Sequence, residues 1–168
     1  LFSGGTTGSE FWRTLDGGTT WSRRSSGSNA CDGQCNYNMT LAVDPLDPQV
    51  VYRGTVRLFK SSDGGASWVS LIAPLGPNQE VHQDIQELLL DPDSPDELLI
   101  GSDGGVWRSS DAGLSFENLN ANLDLTMFYG IDVHPFDREQ LCGGSQDNSS
   151  LARVDSGNVW QLQSFTGD

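Results

Sequence analysis

The sequence predicts an all-β fold built from one structural unit that repeats along the chain. Three observations lead to this prediction. An eight-residue motif occurs in three clear copies and one weaker copy, and its aspartates, Asp16, Asp63, Asp111 and Asp155, are spaced by 47, 48 and 44 residues. The 168 residues include 20 glycines and 7 prolines, which indicates many turns. Between the turns lie short segments of alternating polarity, and no long helical pattern interrupts them.

The repeated motif is typical of a tight turn between two strands. Its pattern is a hydroxyl residue, any residue, Asp, any residue, Gly, any residue, a second hydroxyl residue and an aromatic residue. The Asp side chain can bond backbone N–H groups two or three residues further on, and the Gly can adopt the positive φ that a sharp reversal requires. The defining positions of the four copies are Asp16, Gly18 and Trp21; Asp63, Gly65 and Trp68; Asp111, Gly113 and Phe116; and Asp155, Gly157 and Trp160.

A second signal, a turn that contains proline, recurs between the copies of the motif. Asp44-Pro45, Asp91-Pro92 and His134-Pro135 each place the proline nine residues before a glycine. A turn at this fixed offset joins two strands, so each full unit contains four strands. In the second unit we place them at 40–43, 50–54, 57–60 and 67–71.

Four antiparallel strands repeated about every 40 to 50 residues are typical of the blades of a β-propeller. The blades span about residues 1–25, 38–73, 82–120 and 126–164, and the first lacks its innermost strand. The chain therefore contains about three and a half to four blades of a single or partial propeller. We favour a piece of a larger propeller, with a small closed ring or an oligomer as alternatives.

The eight-residue motif resembles the Asp-box, or BNR repeat, of sialidases, the sortilin family, xyloglucanases and many secreted bacterial β-propellers. The resemblance covers nearly the whole chain. It implies that the aspartate turns are structural, that the protein is secreted, periplasmic or on the cell surface, and that further blades come from the same or another chain. The chain begins at Leu1 with neither Met nor a signal peptide, so we expect a mature or partial product.

Charge and cysteine content restrict the function further. Nine basic residues against 23 acidic residues give a formal charge of −14, which disfavours nucleic acid and anionic membrane surfaces as partners. No apolar run reaches the length of about 18 residues that membrane insertion requires. We expect a local disulfide between Cys31 and Cys35, since no second pair completes a metal site, and a buried thiol at Cys142. No cofactor is indicated, although a divalent cation such as calcium remains an option.

Successive turns of a four-stranded meander alternate between the two ends of the sheet. The repeated turns and the proline turns therefore share one end, and non-repeated polar residues collect at the other, together with the loop 31–37. The candidate ligand-binding residues at that end are His82, Asp84, Gln86, Asp103, Gln146, Asp147 and Asn148. If strand pairing begins early, the first three alternate and project to one side.

These residues could bind a divalent cation, orient a sugar, or act as an acid and base pair. The structural alternative is that His82 and Asp84 bond backbone at a blade junction and that residues 146–148 form a plain turn. We expect changes at Asp63 to affect stability, and changes at His82 or Asp84 to affect binding and leave stability within about 0.5 kcal/mol.

Two classes of function follow. The first is a secreted module that binds a glycan or peptide at the mouth of the propeller channel. The second is a glycoside hydrolase. A sialidase-like enzyme needs three convergent arginines and a supported Tyr, and no such triad is evident. A xyloglucanase-like enzyme needs two carboxylates facing each other across a cleft, and at most half of such a site is present. We therefore favour binding over catalysis.

Overall fold

The computed structural model describes residues 2–5, 8–27, 34–71, 81–123, 126–146, 149–154 and 159–163. These residues form fifteen strands and one short 3₁₀ helix. The chain divides into two compact units, Leu1–Asn122 and Leu123–Asp168, which are described separately. No helix among the described residues has the length and apolar character needed to cross a membrane.

The first unit contains three antiparallel sheets, in each of which neighbouring strands follow one another in sequence. The first sheet has three strands: β1 (Phe2–Gly5), β2 (Gly8–Arg13) and β3 (Ser22–Gly27). The second has four: β4 (Thr40–Val43), β5 (Val51–Gly54), β6 (Leu58–Ser61) and β7 (Val69–Ser70). The third has β8 (Ile85–Leu90), β9 (Leu98–Ser102), β10 (Gly105–Ser109) and β11 (Glu117–Asn118), followed by the 3₁₀ helix Asn120–Asn122.

The second unit is one four-stranded antiparallel meander. Its strands are β12 (Phe128–Val133), β13 (Leu141–Ser145), β14 (Ser150–Arg153) and β15 (Gln161–Gln163). The predicted all-β class and the four-stranded units are confirmed, and the first sheet has three strands as expected. The fourth strands are shorter than predicted: β7 covers Val69–Ser70 instead of 67–71, because Ser67 and Trp68 still belong to the preceding turn.

Hydrogen bonds to one carboxylate and one hydroxyl organise the repeated turns that the structure describes. In the second sheet, Asp63 Oδ1 accepts hydrogen bonds from the backbone N–H groups of Ala66 and Ser67, both at 2.9 Å. Its Oδ2 accepts from the Ser67 hydroxyl at 2.6 Å. The Ser61 hydroxyl donates to Asp63 at 2.8 Å and accepts from the Gly65 N–H at 2.8 Å. The Asp63 carboxylate and the Ser61 hydroxyl together therefore accept the N–H groups of Gly65, Ala66 and Ser67.

The same geometry recurs at Asp16 and Asp111. Hydrogen bonds, led by the one from the second hydroxyl of each turn, hold the pKa of both carboxyls down to about 2. The Ser67 hydroxyl likewise holds the pKa of Asp63 well below its usual range. Asp155 and Gly157 of the fourth copy lie outside the described residues.

Positive φ angles follow the Asp in every described copy. Gly17, Gly64 and Ala112 have φ of 68°, 67° and 58°, and the next residue, always Gly, has φ between 86° and 95°. Ala112 shows that the first of these positions tolerates a Cβ. The glycine fixed by the motif is the second one, where Gly65 lies against the Phe11 ring of the preceding sheet.

The proline turns lie at the same end as the repeated turns in the second and third sheets. The Gly64 N–H donates to the Gln49 carbonyl at 2.8 Å, and the Ala112 N–H donates to the Asp96 carbonyl at 3.0 Å. We call this the turn end. Asp44 closes its proline turn by accepting the Leu46 N–H at 2.8 Å. The Nδ1 atom of His134 accepts the Phe136 N–H at 3.4 Å, as a structural substitute for Asp.

The core of the first unit lies between its sheets. The main cluster joins the second and third sheets and contains Tyr52, Leu58, Val81, Ile85, Leu88, Leu98, Ile100 and Trp107. A smaller cluster joins the first and second sheets, where the rings of Phe11 and Trp68 meet edge to face with centroids 5.3 Å apart. Hydrophobic burial between adjacent sheets therefore holds the unit together.

Cations add polar contacts between the sheets of this unit. Arg24 of the first sheet donates to the carbonyls of Asp63 and Gly64 at 2.9 and 3.2 Å. Lys60 of the second sheet donates to the carbonyl of Ala112 at 3.2 Å. Both cations thus bond the backbone of the repeated turn in the following sheet.

The cysteines differ from expectation in one respect. Cys35 is disulfide-bonded, and its predicted partner Cys31 lies outside the described residues, so the pairing stays a prediction. The expected buried thiol at Cys142 is wrong: Cys142 is an exposed free cysteine. It stands on a side of β13 that no other described segment of the second unit covers.

Candidate binding site at the hairpin end

The end of the sheets opposite the turn end carries the short β5–β6 and β9–β10 hairpins, and we call it the hairpin end. In the first unit the segment 81–86 enters the third sheet between these two hairpins. The Asp84 N–H donates to the Val56 carbonyl at 3.1 Å, and the Ile85 N–H donates to the Thr55 carbonyl at 2.8 Å. On the other side, the Asp103 N–H donates to the Asp84 carbonyl at 3.2 Å. Asp84 therefore joins both hairpins through its backbone.

Asp84 is held in an unusual conformation. Its φ is 62°, in the left-handed region that Asp tolerates better than most residues, and the residue is only 9% exposed. Its Oδ1 accepts a hydrogen bond from Asn38 Nδ2 at 2.7 Å. Asn38 is 1% exposed, and no partner for its Oδ1 is found among the described residues. This buried pair ties the loop before β4 to the entry of β8.

Asp103, at the tip of the β9–β10 hairpin, organises the exposed part of the site. Its Oδ1 accepts from Gln86 Nε2 at 2.8 Å, and its Oδ2 accepts from the Tyr37 hydroxyl at 2.8 Å. Tyr37 is 50% exposed and Gln86 is also exposed. The carboxylate thus fixes an aromatic ring and an amide at the surface.

The hairpin that carries Asp103 is itself anchored. Asn120, in the 3₁₀ helix, accepts the Val106 N–H at 2.8 Å and donates to the Gly104 carbonyl at 3.1 Å. His82 packs on Gly104, where any Cβ would overlap the imidazole ring. The Nδ1 atom of His82 lies 3.0 Å from the Gln83 carbonyl. Because a carbonyl only accepts, this contact places the proton of a neutral ring on Nδ1.

The structure brings four of the seven predicted residues together. His82, Asp84, Gln86 and Asp103 meet at the hairpin end of the first unit. Gln146 lies in the second unit, where its N–H donates to the Met127 carbonyl at 2.9 Å. The remaining two, Asp147 and Asn148, lie outside the described residues.

His82, Asp84 and Gln86 were expected to project to one side if strand pairing began early, and this condition is not met. Strand β8 begins at Ile85, so the left-handed Asp84 lies before it, and the pairing shifts register between Ile85 and Glu87. Asp84 consequently points to the buried Asn38 while Gln86 points to Asp103. The buried environment of Asp84 also predicts a larger stability loss on its removal than the sequence alone indicated.

Three residues of this site were not predicted individually from the sequence: Tyr37, Asn38 and Asn120. Tyr37 belongs to the loop already assigned to this end, and an aromatic residue in a polar loop was the available signal. Asn38 and Asn120 carry no local signal, because their roles depend on segments 46 and 14 to 16 residues away.

The hydrogen bonds indicate what the site can do chemically. Both oxygens of Asp103 accept hydrogen bonds from neighbouring side chains, and Asp84 bonds a buried amide, so both carboxylates serve to position other groups. Among the described residues, no three His, Cys, Asp or Glu side chains form a possible metal site. Polar recognition by Tyr37, Gln86 and their neighbours is therefore the chemistry that this geometry favours.

The arginines of the described residues are distributed among separate partners. Arg13 donates to Gln49 at 3.2 Å, Arg23 to Glu10 at 2.9 Å and Arg108 to Glu117 at 2.9 Å. Arg53 is stacked between two rings, with its guanidinium 4.4 Å from the centroid of Phe59 and 4.5 Å from that of Trp68. None of these side chains converges with others on the hairpin end.

Comparison with solved structures assigns the fold. The GH74 xyloglucanase from Xanthomonas campestris superposes with a TM-score of 0.50 at 16% identity, covering 91% of this chain and 34% of that enzyme. The fold is a β-propeller. The four sheets are its blades, and the chain spans about a third of the length of that enzyme.

Two further structures are similar over most of the chain. An ancestral GH74 enzyme matches with a TM-score of 0.47 and 15% identity, covering 97% of this chain and 22% of that one. YCF48 from Cyanidioschyzon merolae matches with a TM-score of 0.31 and 12% identity, covering 93% and 64%. No protein-family model matches the chain, and no curated protein matches it.

Proposed function

We propose that this chain is part of a secreted β-propeller module that binds a glycan or a peptide at the hairpin end of its blades. The observation that supports it is the exposed group formed by Tyr37, Gln86 and Asp103. An amphipathic ring beside fixed amide and carboxylate groups suits ligands that carry both apolar faces and hydrogen-bonding groups. Sugar rings and peptide segments both have this character.

The rigidity of the support favours a binding role. Asn120 anchors the hairpin, and the buried pair Asn38 and Asp84 anchors the loop that carries Tyr37. Groups fixed in this way lose little side-chain entropy when a ligand binds. The repeated turns, at the other end of the same sheets, act in this proposal as Asp-box elements of the scaffold.

Two features support the proposed location and partners. A disulfide at Cys35 is typical of proteins that mature in an oxidising compartment. The formal charge of −14 favours neutral or cationic ligands over polyanions. We therefore propose a secreted, periplasmic or cell-surface location and exclude nucleic acid from the proposed partners.

The proposal is tested by screening the 168-residue chain against glycan arrays and peptide libraries and measuring the affinities of the hits by calorimetry. Tyr37→Ala and Gln86→Ala are expected to weaken binding roughly tenfold or more, because each removes a directional contact. Leu46→Ala, an exposed change at the turn end, serves as the matched control and is expected to leave affinity unchanged.

The same screen separates binding from catalysis. Under the proposal, glycan hits remain intact on prolonged incubation, as monitored by reducing-end release. Steady hydrolysis that depends on a carboxylate of this chain would favour the glycoside hydrolase alternative. Equal affinity of the wild type, Tyr37→Ala and Gln86→Ala variants would refute the assigned site.

A further inference from the structure

The hydrogen bonds at the hairpin end determine which polar groups remain for a ligand. The Tyr37 hydroxyl and one N–H of the Gln86 amide both donate to Asp103, each at 2.8 Å. An ionised carboxylate has about four lone-pair positions, so Asp103 keeps acceptor capacity after these two bonds. Gln86 Oε1 accepts no hydrogen bond from any described residue. The polar capacity that remains at this surface is therefore mainly acceptor capacity.

The aromatic ring of Tyr37 is the second component of the site. It is 50% exposed, and its hydroxyl is bonded to a carboxylate. Donation to an anion raises the electron density of the ring, and the face of an electron-rich ring attracts cations. The chain contains one such contact already. Lys60 Nζ lies 5.2 Å from the ring centroid of Tyr52, whose hydroxyl donates to the Ala112 carbonyl.

The electrostatics of the hairpin end also favour a cation. Its described segments, 34–38, 54–57, 81–87 and 102–105, contain three carboxylates and one arginine: Asp84, Glu87, Asp103 and Arg57. Asn38 Oδ1, buried and without a partner among the described residues, adds the negative end of a further dipole. The formal charge of −14 extends the same preference over the whole protein. A ligand that presents positive charge and hydrogen-bond donors is therefore complementary to this end.

An arginine side chain matches these groups better than a lysine side chain. The guanidinium is planar and carries a fixed fork of N–H donors and no acceptor, so it can stack on a ring while its edge donates to a carboxylate. The ammonium of lysine is a compact and strongly hydrated charge. Stacking of this kind occurs within the chain, where the Arg53 guanidinium lies 4.4 Å from the centroid of Phe59 and 4.5 Å from that of Trp68.

We propose that the hairpin-end site binds the guanidinium of an arginine side chain in a peptide, which stacks on Tyr37 and donates to Asp103 and Gln86 Oε1. This inference rests on the proposed ligand binding at the same site and commits that site to one ligand chemistry. The two proposals fail separately. Binding of a neutral glycan that depends on Tyr37 and Gln86 would leave the proposed function standing and overturn this inference.

The test is an NMR titration of the 168-residue chain with a capped pentapeptide that carries one arginine between glycines. The matched probe is the same peptide with citrulline, which keeps the shape of arginine and lacks its charge. The arginine peptide is expected to bind about tenfold or more tighter than the citrulline peptide and to shift the Tyr37 ring resonances. Its affinity is expected to fall as sodium chloride rises from about 50 to about 500 mM, because salt screens exposed charges.

Two variants with the same change of charge locate the contact. Asp103→Asn is expected to weaken binding of the arginine peptide about tenfold or more. Asp93→Asn, at an exposed position of the turn end, is the control and is expected to leave the affinity unchanged. Circular dichroism confirms that each variant is folded, and the comparison of arginine with citrulline needs only the wild-type chain.

Three results would overturn the inference. The first is equal affinity for the arginine and citrulline peptides, or no binding of either at the highest soluble concentration. The second is an equal loss of affinity in Asp103→Asn and Asp93→Asn, which would show attraction by overall charge alone. The third is binding of the arginine peptide without any shift of the Tyr37 ring resonances.

Discussion

Replacement of Asp84 tests whether the entry of β8 depends on one buried carboxylate and one left-handed backbone angle. Asp84→Ala removes the bond from Asn38, and hydrogen bonds to charged groups contribute about 1.5 to 3 kcal/mol. The Cβ strain at φ 62° is already present in the wild-type aspartate, so alanine adds no further Cβ cost. The free energy of unfolding is therefore expected to fall by about 1.5 to 3 kcal/mol.

Two further variants separate the two contributions. Asp84→Gly loses the same hydrogen bond but has no Cβ, so it is expected to be more stable than Asp84→Ala by about 1 kcal/mol. Asp84→Asn keeps an acceptor and tolerates the left-handed region, and it is expected to lose only about 1 kcal/mol. The expected order of stability is wild type, Asn, Gly, Ala.

Urea unfolding measures this order. Tryptophan fluorescence reports on the first unit through Trp107, which is 8% exposed within its core, and far-ultraviolet circular dichroism provides a second probe. Equal m-values across the series make the midpoints comparable. An Ala variant within about 0.5 kcal/mol of the wild type would refute the buried-pair argument, and equal Ala and Gly variants would refute the backbone argument.

Three further predictions concern the repeated turns, one glycine and the cysteines. Folding lowers the pKa of Asp16 and Asp111 to about 2. The stability that these carboxylates contribute is therefore fully present above their unfolded-state pKa of about 4 and is lost as the pH falls toward 2. Urea unfolding midpoints should decline over that pH window, and they should decline less steeply in Asp111→Asn. Gly65→Ala places a Cβ at a residue with φ 86° and in contact with the Phe11 ring, so the thermal unfolding midpoint should fall clearly. Gly144→Ala, where a Cβ meets no neighbouring atom, should leave the midpoint nearly unchanged. Equal effects of the two substitutions would contradict this contrast between a filled and an open position. Alkylation of the unfolded, unreduced chain followed by intact mass should add one group, at Cys142; three added groups would contradict the pairing of Cys31 with Cys35.

Local physical chemistry explains why the fold could be predicted from the sequence. The turn at Asp63 is closed by residues within four positions of it, so its pattern is visible in any single copy. The spacing between copies of that pattern then predicted the number of strands in each repeated unit. Because successive turns of a meander alternate between the two ends of a sheet, the repeated turns and the proline turns were expected at the same end. The hydrogen bond from the Gly64 N–H to the Gln49 carbonyl confirms this.

The candidate site was less predictable because it depends on distant residues. Asn38 and Asp84 are 46 residues apart, and Tyr37 and Asp103 are 66 apart. No periodic sequence pattern predicts hydrogen-bonded pairs that are this far apart in the chain. The left-handed angle at Asp84 arises because its backbone must meet both neighbouring hairpins, and this tertiary requirement ended the expected alternation from His82 to Gln86.

The cations that bond the repeated turn of the following sheet have a consequence for how such a protein can diverge. Arg24 and Lys60 are bonded to backbone carbonyls, and a carbonyl is present whatever side chain the turn carries. Ala112, which accepts the bond from Lys60, already replaces the glycine found at positions 17 and 64. Substitutions on the accepting turn can therefore accumulate without breaking the contact, whereas replacing the donating cation removes it. Each blade can drift in sequence at its turn while its neighbour continues to hold it in place.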